Sequence, residues 1–306
     1  MVKKALLGQL SDTDIRLLRV FRAVVECGGF SAAELELNIN RSTISRHIKD
    51  FEIRLGVNLC QRGRGGFSLT AEGSQIYDAG LRLLASIDEF RAEVDDVHLR
   101  LTGTLNIAII DKTVTNPQAA VAKSLQLFDD MAPDADIRVS IEPINEIESA
   151  VIDGRFQLGI VPGHRTSSSL NYVHLYDEQM YLYCGSEHEL FSAKDSTITK
   201  QKILDCKYAG LGYHSPNMDI SKQQDMRRRA TSCDQEAIAL LILSGRYLGY
   251  LPDHFAKSFV EQKVMRPIGQ KTFQYLCQLS AITRRSPQPS RLTQTFLNAL
   301  IRAHGN

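Results

Sequence analysis

The clearest periodic pattern in the chain lies in residues 41–55, where apolar side chains recur at helical spacing. Ile44, Ile48, Phe51 and Leu55 are four, three and four residues apart, which predicts one buried stripe along a helix. Ser42 precedes this stripe and is expected to cap the helix. The opposite face is polar and carries hydroxyl groups and charges, with Thr43, Arg46, His47, Lys49 and Asp50 in sequence order.

A shorter helix is expected directly before this one. Ser31 can accept a hydrogen bond from a backbone N–H at the helix start, and residues 32–35 favour helix. The Asn-Ile-Asn run at 38–40 then predicts a tight turn, because Asn tolerates left-handed geometry. Two helices joined in this way suit insertion into the major groove of DNA. An ordinary helical hairpin with a solvated face is the alternative interpretation.

The segment after residue 56 has the pattern of a β-hairpin. Two apolar pairs, at 57/59 and 67/69, flank a glycine-rich tip that contains Arg62 and Arg64. Residues 41–66 contain six Lys or Arg residues against two acidic residues, although the whole chain carries a formal net charge of only +1. This concentration of positive charge in one module indicates a nucleic-acid site.

In this ordered set of motifs, residues 12–100 resemble the winged helix-turn-helix and linker helix of LysR-type transcriptional regulators. The matching segments are DIRLLRVFRAVVECGGF, STISRHI, RLGVNL and LTAEG. The resemblance implies that the second helix lies in the major groove and that the hairpin wing contacts phosphate or the minor groove. The side chains it implies for DNA contact are Ser31, Arg41, Ser42, Thr43, Ser45, Arg46, Lys49, Arg62 and Arg64.

One departure from the family pattern concerns the start of the recognition helix. The family usually has Ser-Gln-Pro there, and this chain has Asn40-Arg41-Ser42. Arginine prefers guanine O6/N7 or phosphate, whereas glutamine suits adenine. We therefore expect the docking mode of the family, but not its base preference.

A second helical repeat predicts a linker over residues 70–101. Apolar positions alternate at spacings of four and three from Ile76 to Leu101, interrupted by Gly80. The segment 70–100 is acidic, with seven Asp or Glu residues against three Arg, so it is expected to pair with another helix and form a homodimer. Packing on its own domain is the alternative. The family resemblance further implies a tetramer.

Beyond residue 101, short apolar runs alternate with helical segments, which predicts an α/β fold. The predicted elements include a strand at Thr104–Ile110 and helices at Pro117–Phe128, Ile144–Ile152 and Asp253–Glu261. The resemblance implies an effector domain over 102–306, similar to a two-lobed periplasmic binding protein, after a DNA-binding domain at 1–69. Lobe one is then about 104–161 and 268–306, and lobe two about 162–267.

A small-molecule effector is expected between the two lobes, where the first strand ends. One wall of the expected site comprises Asp111, Lys112, Thr113 and Thr115, next to the predicted helix start at Pro117. The facing wall, placed by the resemblance, comprises Tyr213, His214, Ser232 and Cys233. Lys112, the hydroxyl groups and the helix start favour a carboxylate, whereas Asp111 would repel one and suits an amine. The effector is therefore expected to be a carboxylate or an amino-acid-like compound.

Composition narrows the class of protein. No apolar run approaches the roughly 20 residues needed to cross a bilayer, so no membrane partner is expected and the cytoplasm is the expected location. The six cysteines show no metal-binding spacing, and no cofactor motif or catalytic constellation is present. The sequence thus predicts a regulator of transcription that binds double-stranded DNA and responds to an effector, and not an enzyme. An architectural DNA-binding protein without an effector is the alternative.

Overall fold

The computed structural model describes residues 8–63, 66–97, 101–163 and 165–305. For residues 62–63, 66, 92, 95 and 96 it describes the backbone alone. The chain forms two compact units, Met1–Phe90 and Arg91–Asn306. The division falls inside the predicted linker, and the predicted domain boundaries at 69/70 and 101/102 stay predictions.

The first unit is built from helices and a two-stranded hairpin. Its elements are α1 (Asp12–Glu26), α2 (Ala33–Leu37), α3 (Arg41–Leu55), β1 (Cys60–Gly63), β2 (Gly66–Leu69) and α4 (Ala71–Val97). Phe21 of α1 is completely buried against Phe51 of α3 and Tyr77 of α4. The helical stripe predicted in α3 is confirmed, since Ile44 and Ile48 are also completely buried.

The two predicted helix caps are wrong. Helix α2 begins at Ala33 after Ala32, and no side chain caps it, so Ser31 does not have that role. Helix α3 begins at Arg41, and its cap is Asn40, whose Oδ1 accepts from the Thr43 N–H at 2.9 Å. The Ser42 hydroxyl donates to the same Oδ1 at 2.6 Å. The cap therefore lies two residues earlier than predicted, within the Asn-Ile-Asn turn.

The apolar repeat predicted from Ile76 to Leu101 forms a seam along α4, and this seam has two parts. Ile76, Leu83 and Ile87 pack against the core of the first unit, as the alternative interpretation requires. Gly80 breaks the apolar repeat because a Cβ there would lie 2.4 Å from the Leu18 side chain. Towards the end of the helix the seam is exposed and includes Phe90, Val94 and Val97. The first part of the seam thus packs within the unit, and pairing of the exposed part with another helix stays a prediction.

The second unit contains one mixed sheet covered by helices. Its strands lie in the order β4-β3-β5-β11-β6-β9-β7-β8, with β10 paired to β6. The strands are β3 (Gly103–Ile109), β4 (Ala135–Ile141), β5 (Leu158–Pro162), β6 (Leu170–Gly185), β7 (Tyr208–Leu211), β8 (Arg228–Ser232), β9 (Leu248–Pro252), β10 (Met265–Pro267) and β11 (Gln274–Arg284). The helices are α5 (Val121–Met131), α6 (Ile144–Ile152), α7 (Lys200–Asp205), α8 (Pro216–Gln223), α9 (Gln235–Leu243), α10 (Asp253–Glu261) and α11 (Arg291–Ala303).

Two long strands join the halves of this unit. β6 and β11 pair antiparallel from Leu170↔Arg284 to Tyr181↔Gln274, with a register shift at Leu279/Ser280. On one side lie β3, β4 and β5, and on the other β7, β8 and β9, each a parallel set. The two halves therefore share β6 and β11, whereas the predicted lobe boundaries assign these two strands to different lobes.

The helix predicted at Pro117 begins later. A 3-10 turn at Thr113–Thr115 follows β3, and α5 begins at Val121. Asn116 explains part of the delay, because its Oδ1 accepts from the Gln118 N–H at 2.8 Å and stabilises a turn. The helix start that was expected to contribute to an anion site is therefore absent from positions 113–117.

Candidate functional site

Helix α3 presents a polar face away from the core of the first unit. Ile44, Ile48 and Phe51 are buried on the inner side. The outer side carries the residues predicted to contact DNA: Arg41, Ser42, Arg46 and Lys49 are exposed, and Thr43 and Ser45 are half-buried. Ser31 is also exposed, in the turn before α2. The structure thus brings three cations and three hydroxyl groups together on one helix.

Neighbouring elements fix the position of α3. At its start, the Arg41 N–H donates to Glu34 Oε1 of α2 at 2.5 Å. Near its end, Arg54 pairs with the buried Asp14 of α1. Because both ends are attached to other helices, the outer face is held rigidly relative to the rest of the unit.

The predicted wing is present as a hairpin. β1 and β2 pair antiparallel, from Cys60↔Leu69 to Gly63↔Gly66. Glu52 of α3 holds its base, since Glu52 Oε1 accepts from the Leu59 N–H at 2.8 Å. Arg64 and the side chain of Arg62 lie outside the described residues, so their predicted contacts with DNA stay predictions.

A small cavity of about 40 Å³ lies between the two halves of the second unit. It is open to solvent and combines apolar walls with a few polar groups. Its lining comprises Ile110, Asp111, Ile144, Pro162, Glu178, Met180, Leu211, Tyr213, Ser215, Pro216, Asn217, Gln235, Pro252, Tyr275 and Cys277. Such a position, beyond the ends of β3 and β7, is where ligands bind in α/β folds.

Two of the eight residues predicted to bind the effector, Asp111 and Tyr213, line this cavity. The other six, Lys112, Thr113, Thr115, His214, Ser232 and Cys233, lie outside its lining. Lys112 Nζ lies 2.8 Å from Glu236 Oε2. The Thr113 hydroxyl donates to Ile110 O. The Thr115 hydroxyl lies within hydrogen-bond distance of Lys112 O and His254 Nδ1. The donors expected to hold a carboxylate are therefore engaged by the protein.

The remaining predicted residues are also engaged elsewhere. His214 Nε2 lies 3.4 Å from Asp219 Oδ1. Ser232 Oγ accepts from the Asp234 N–H at 3.2 Å, and Cys233 Sγ lies 3.5 Å from Asp234 Oδ2. Asp234, rather than Ser232 or Cys233, caps α9 by accepting from the Ala237 N–H at 2.7 Å.

Asp111 forms a direct contact between the two halves. Its Oδ2 accepts from the Gln235 N–H, at the start of α9, at 2.8 Å. Burial nevertheless raises the pKa of Asp111, and the nearby carboxylates of Asp234 and Glu178 act in the same direction. Asp111 is therefore an acidic group in a site with excess negative charge.

Glu178 of β6 forms a second contact, and its side chain is 5% exposed. Its Oε1 accepts from Asn116 Nδ2 at 3.3 Å and lies 3.1 Å from His254 Nε2. His254 Nδ1 in turn lies 2.8 Å from Thr115 Oγ1. The network joins the loop after β3 to the start of α10 through one buried carboxylate.

The hydrogen-bonding role of His254 is tied to the orientation of the Thr115 hydroxyl. If the hydroxyl donates to Lys112 O, at 2.9 Å, then His254 Nδ1 must donate to Thr115. If the hydroxyl donates to Nδ1 instead, the tautomer with its proton on Nε2 donates to Glu178. One hydroxyl orientation thus selects the contact that His254 makes with Glu178.

Sequence reasoning missed Glu178 and Asn217, which both line the cavity. A signal for Glu178 was present, because Tyr176, Glu178, Met180 and Leu182 alternate along β6 with all four side chains buried. A carboxylate on the buried face of a strand is unusual and indicates a functional role. Asn217 lies in α8, which was not predicted, and its contacts depend on the tertiary fold.

Two matches to known protein families assign this chain to a family. Residues 15–74 match the lysR family of bacterial regulatory helix-turn-helix proteins, and residues 98–305 match the LysR substrate binding domain. The chain belongs to the LysR-type transcriptional regulators. Among LysR-type relatives, the chain is 42% identical over 294 residues to the HTH-type transcriptional activator BauR of Pseudomonas aeruginosa, covering 96% of each chain.

Solved structures of LysR-type regulators share this fold. CbnR is 20% identical, with a TM-score of 0.63 over 95% of this chain and 99% of CbnR. A full-length variant of OxyR from Pseudomonas aeruginosa is 17% identical, with a TM-score of 0.60 over 97% of this chain and 95% of that one. At these identities the likeness establishes the fold alone.

Within the described part of the chain, no helix is long and apolar enough to span a membrane. Among the same residues, no group of three or more His, Cys, Asp or Glu can hold a metal ion.

Proposed function

We propose that this LysR-type regulator binds double-stranded DNA through the outer face of α3, acts without catalysis in the cytoplasm, and responds to an effector in the cavity of the second unit. The observation that carries the proposal is the outer face of α3, where Arg41, Arg46 and Lys49 project from a helix fixed at both ends. Such a face supplies cations for phosphate contacts and donors for base edges.

Pairing of two chains through α4 supports this function. Phe90, Val94 and Val97 are 66%, 42% and 77% exposed, although all three belong to the apolar repeat. A homodimer through this part of α4 brings two copies of the DNA-binding first unit to two half-sites, which multiplies the affinity for DNA. Tetramers follow if such dimers pair again.

The effector acts through the contacts that join the two halves. Asp111 with Gln235, and Thr115 with His254, each join the two halves of the second unit. A ligand that binds one arrangement of the halves more tightly shifts the population towards it. An architectural DNA-binding protein has no need of a polar cavity between two halves, which favours the effector-dependent function.

The test is a footprint on the DNA directly upstream of the coding region over a series of salt concentrations. We expect two protected half-sites spaced by helical turns, with affinity that falls steeply with salt. Arg46→Ala should abolish specific protection and leave the oligomeric state unchanged. Lys257→Ala, which removes an exposed cation from α10, is the matched control. Full operator affinity in Arg46→Ala would exclude α3 as the reading helix.

A further inference from the structure

We propose that the effector is a small zwitterion of the amino-acid type, with its ammonium group at the wall formed by Asp111 and Glu178 and its acceptor group near Asn217. The inference rests on the proposed function, since it assigns the chemistry of the ligand in the same cavity. It replaces the expectation of a carboxylate held by Lys112 and the loop hydroxyl groups.

The acidic wall carries more negative charge than the protein compensates. Asp111 and Glu178 are the ionisable carboxyl groups that line the cavity, and no Lys or Arg is present among its described lining residues. Lys112 lies outside the lining, where it forms an ion pair with Glu236 and lies 4.8 Å from the centre of the Phe255 ring. Burial raises the pKa of Asp111, and the charge of Lys112 offsets this effect only in part. The neighbour of Glu178 is His254, whose ring is charged only when protonated. A buried carboxylate without a permanent cation beside it is costly, so this wall favours a ligand that brings a positive charge.

The contacts of Glu178 leave room for a ligand. A carboxylate has about four acceptor positions on its two oxygens. Both protein contacts, from Asn116 Nδ2 and His254 Nε2, use Oε1. An ammonium group has three donors and can donate to Glu178 and Asp111 while it compensates their negative charge, whereas a neutral donor brings no charge.

The opposite wall provides an unpartnered donor. Asn217 is 2% exposed, and its Oδ1 accepts from the Tyr208 hydroxyl at 2.8 Å and from the Leu211 N–H at 3.2 Å. These two contacts fix the amide orientation, so Nδ2 is the remaining donor. Among the described residues no partner meets Nδ2 with hydrogen-bond geometry, although it is buried at the cavity and influences the nearby Tyr275 hydroxyl.

An unpartnered buried donor indicates an acceptor on the ligand. Asn217 lies in the first turn of α8, where the helix dipole also favours a negative group, although Pro216 has no N–H and the Met218 N–H already donates to Ser215 Oγ. A carboxylate is the acceptor that satisfies both the amide and this helix end. The cavity therefore separates a site for positive charge from a site for an acceptor.

The experiment measures binding of matched probes to the full chain by calorimetry and thermal shift. For each chain length from two to five carbons, the probes are the alkylamine, the alkyl carboxylate and the amino acids that carry both groups. We expect at least one amino acid to raise the melting temperature, the amine of the same length to bind more weakly, and the carboxylate alone not to bind. Binding of carboxylates without amines would overturn the proposal.

Two isosteric variants test the wall. Glu178→Gln keeps acceptors for Asn116 and His254, and Asp111→Asn keeps one for the Gln235 N–H. Each should weaken binding of the amino acid by at least about tenfold, because a charge-assisted hydrogen bond becomes neutral. Asp177→Asn makes the same change at the neighbouring, more exposed residue of β6 and should leave binding unchanged. Equal binding by Glu178→Gln and the wild type would overturn the assignment.

The acceptor site is tested by Asn217→Asp, which removes the donor and adds a negative charge. It should abolish binding of the amino acid and leave any binding of the alkylamine.

The DNA footprint without probes separates the two proposals. If the footprint is intact while no amine-bearing probe binds, the effector class is wrong and the DNA-binding function stands. If the footprint is absent in the wild type, the proposed function itself fails.

Discussion

Asp14 of α1 and Arg54 of α3 form a bidentate ion pair inside the first unit. Arg54 Nε lies 2.5 Å from Asp14 Oδ1, and Nη2 lies 2.8 Å from Oδ2. Asp14 is 1% exposed and also accepts from the Ser11 N–H and hydroxyl. These bonds, with that from Arg54 first, hold the pKa of Asp14 well below its ordinary value. The pair joins the first helix to the end of the helix that carries the polar face.

Asp14→Asn should loosen the first unit. A carboxyl group with a lowered folded pKa contributes stability above its unfolded pKa of about 3.9 and loses it as the pH falls through the folded value. At neutral pH we therefore expect faster amide exchange in α1 and α3 of the variant, and the difference from wild type should narrow below about pH 4. Asp12→Asn, at an exposed position of the same helix turn, is the control.

If Asp14→Asn and Asp12→Asn exchange at the same rate as the wild type at neutral pH, the ion pair does not stabilise the position of α3. If the effect of Asp14→Asn persisted unchanged at low pH, it would come from altered packing and not from the carboxylate.

Arg41→Gln should change which base the protein prefers at one position of each half-site. Arg41 is the first residue of α3, and its side chain is exposed while its N–H is fixed by Glu34. A bidentate arginine–guanine contact discriminates by about 1–3 kcal/mol. Selection of bound sequences from a randomised operator measures the change. A uniform loss of affinity, with a salt slope reduced by about 0.9, would instead place Arg41 on a phosphate.

Asn40→Ala should weaken operator binding without changing base preference. Asn40 Oδ1 accepts from the Thr43 N–H and from the Ser42 hydroxyl, so the variant leaves the start of α3 uncapped. Loss of such a cap costs about 0.5–2 kcal/mol. Asn40→Asp retains the acceptor and should restore most of the helix stability, as measured by amide exchange at residues 41–44. Normal exchange in Asn40→Ala would show that the cap has no such role.

Periodicity predicts well those helices whose buried face is defined by the apolar repeat of their own sequence. α6 at Ile144–Ile152 and α10 at Asp253–Glu261 have the predicted bounds, because a proline precedes each helix and the apolar repeat defines its face. The buried stripe of α3 was predicted correctly for the same reason. The cap of α3 was predicted wrongly, because Asn40 and Ser42 are both good caps and tertiary contacts with α2 decide between them.

The cavity was harder to predict because its lining residues are distant in sequence. Of the residues predicted in the loop after β3, Asp111 lines the cavity, whereas Lys112 and Thr115 contact Glu236 and His254. No local pattern shows that Lys112 has an acidic partner more than one hundred residues away. Likewise, the isolated donor of Asn217 exists only because Tyr208 and Leu211 fix its amide.

The exposed end of the α4 seam gives the last prediction. Replacing both Phe90 and Val94 by Ser removes two apolar side chains that are exposed, so folding of the first unit should be retained. Because helix pairing requires burial of this apolar face, the mass in solution should fall towards that of one chain. Light scattering measures the mass, and the footprint should shrink to one half-site with weaker binding.

Leu276→Ser is the matched control, since Leu276 is 56% exposed but lies in β11 of the second unit. It should keep the wild-type mass and both protected half-sites. An unchanged mass in the double variant would show that the chain oligomerises through another surface. In that case the acidic helix α4 would position the DNA-binding head without pairing to its copy, and the spacing of half-sites would be set by the second unit.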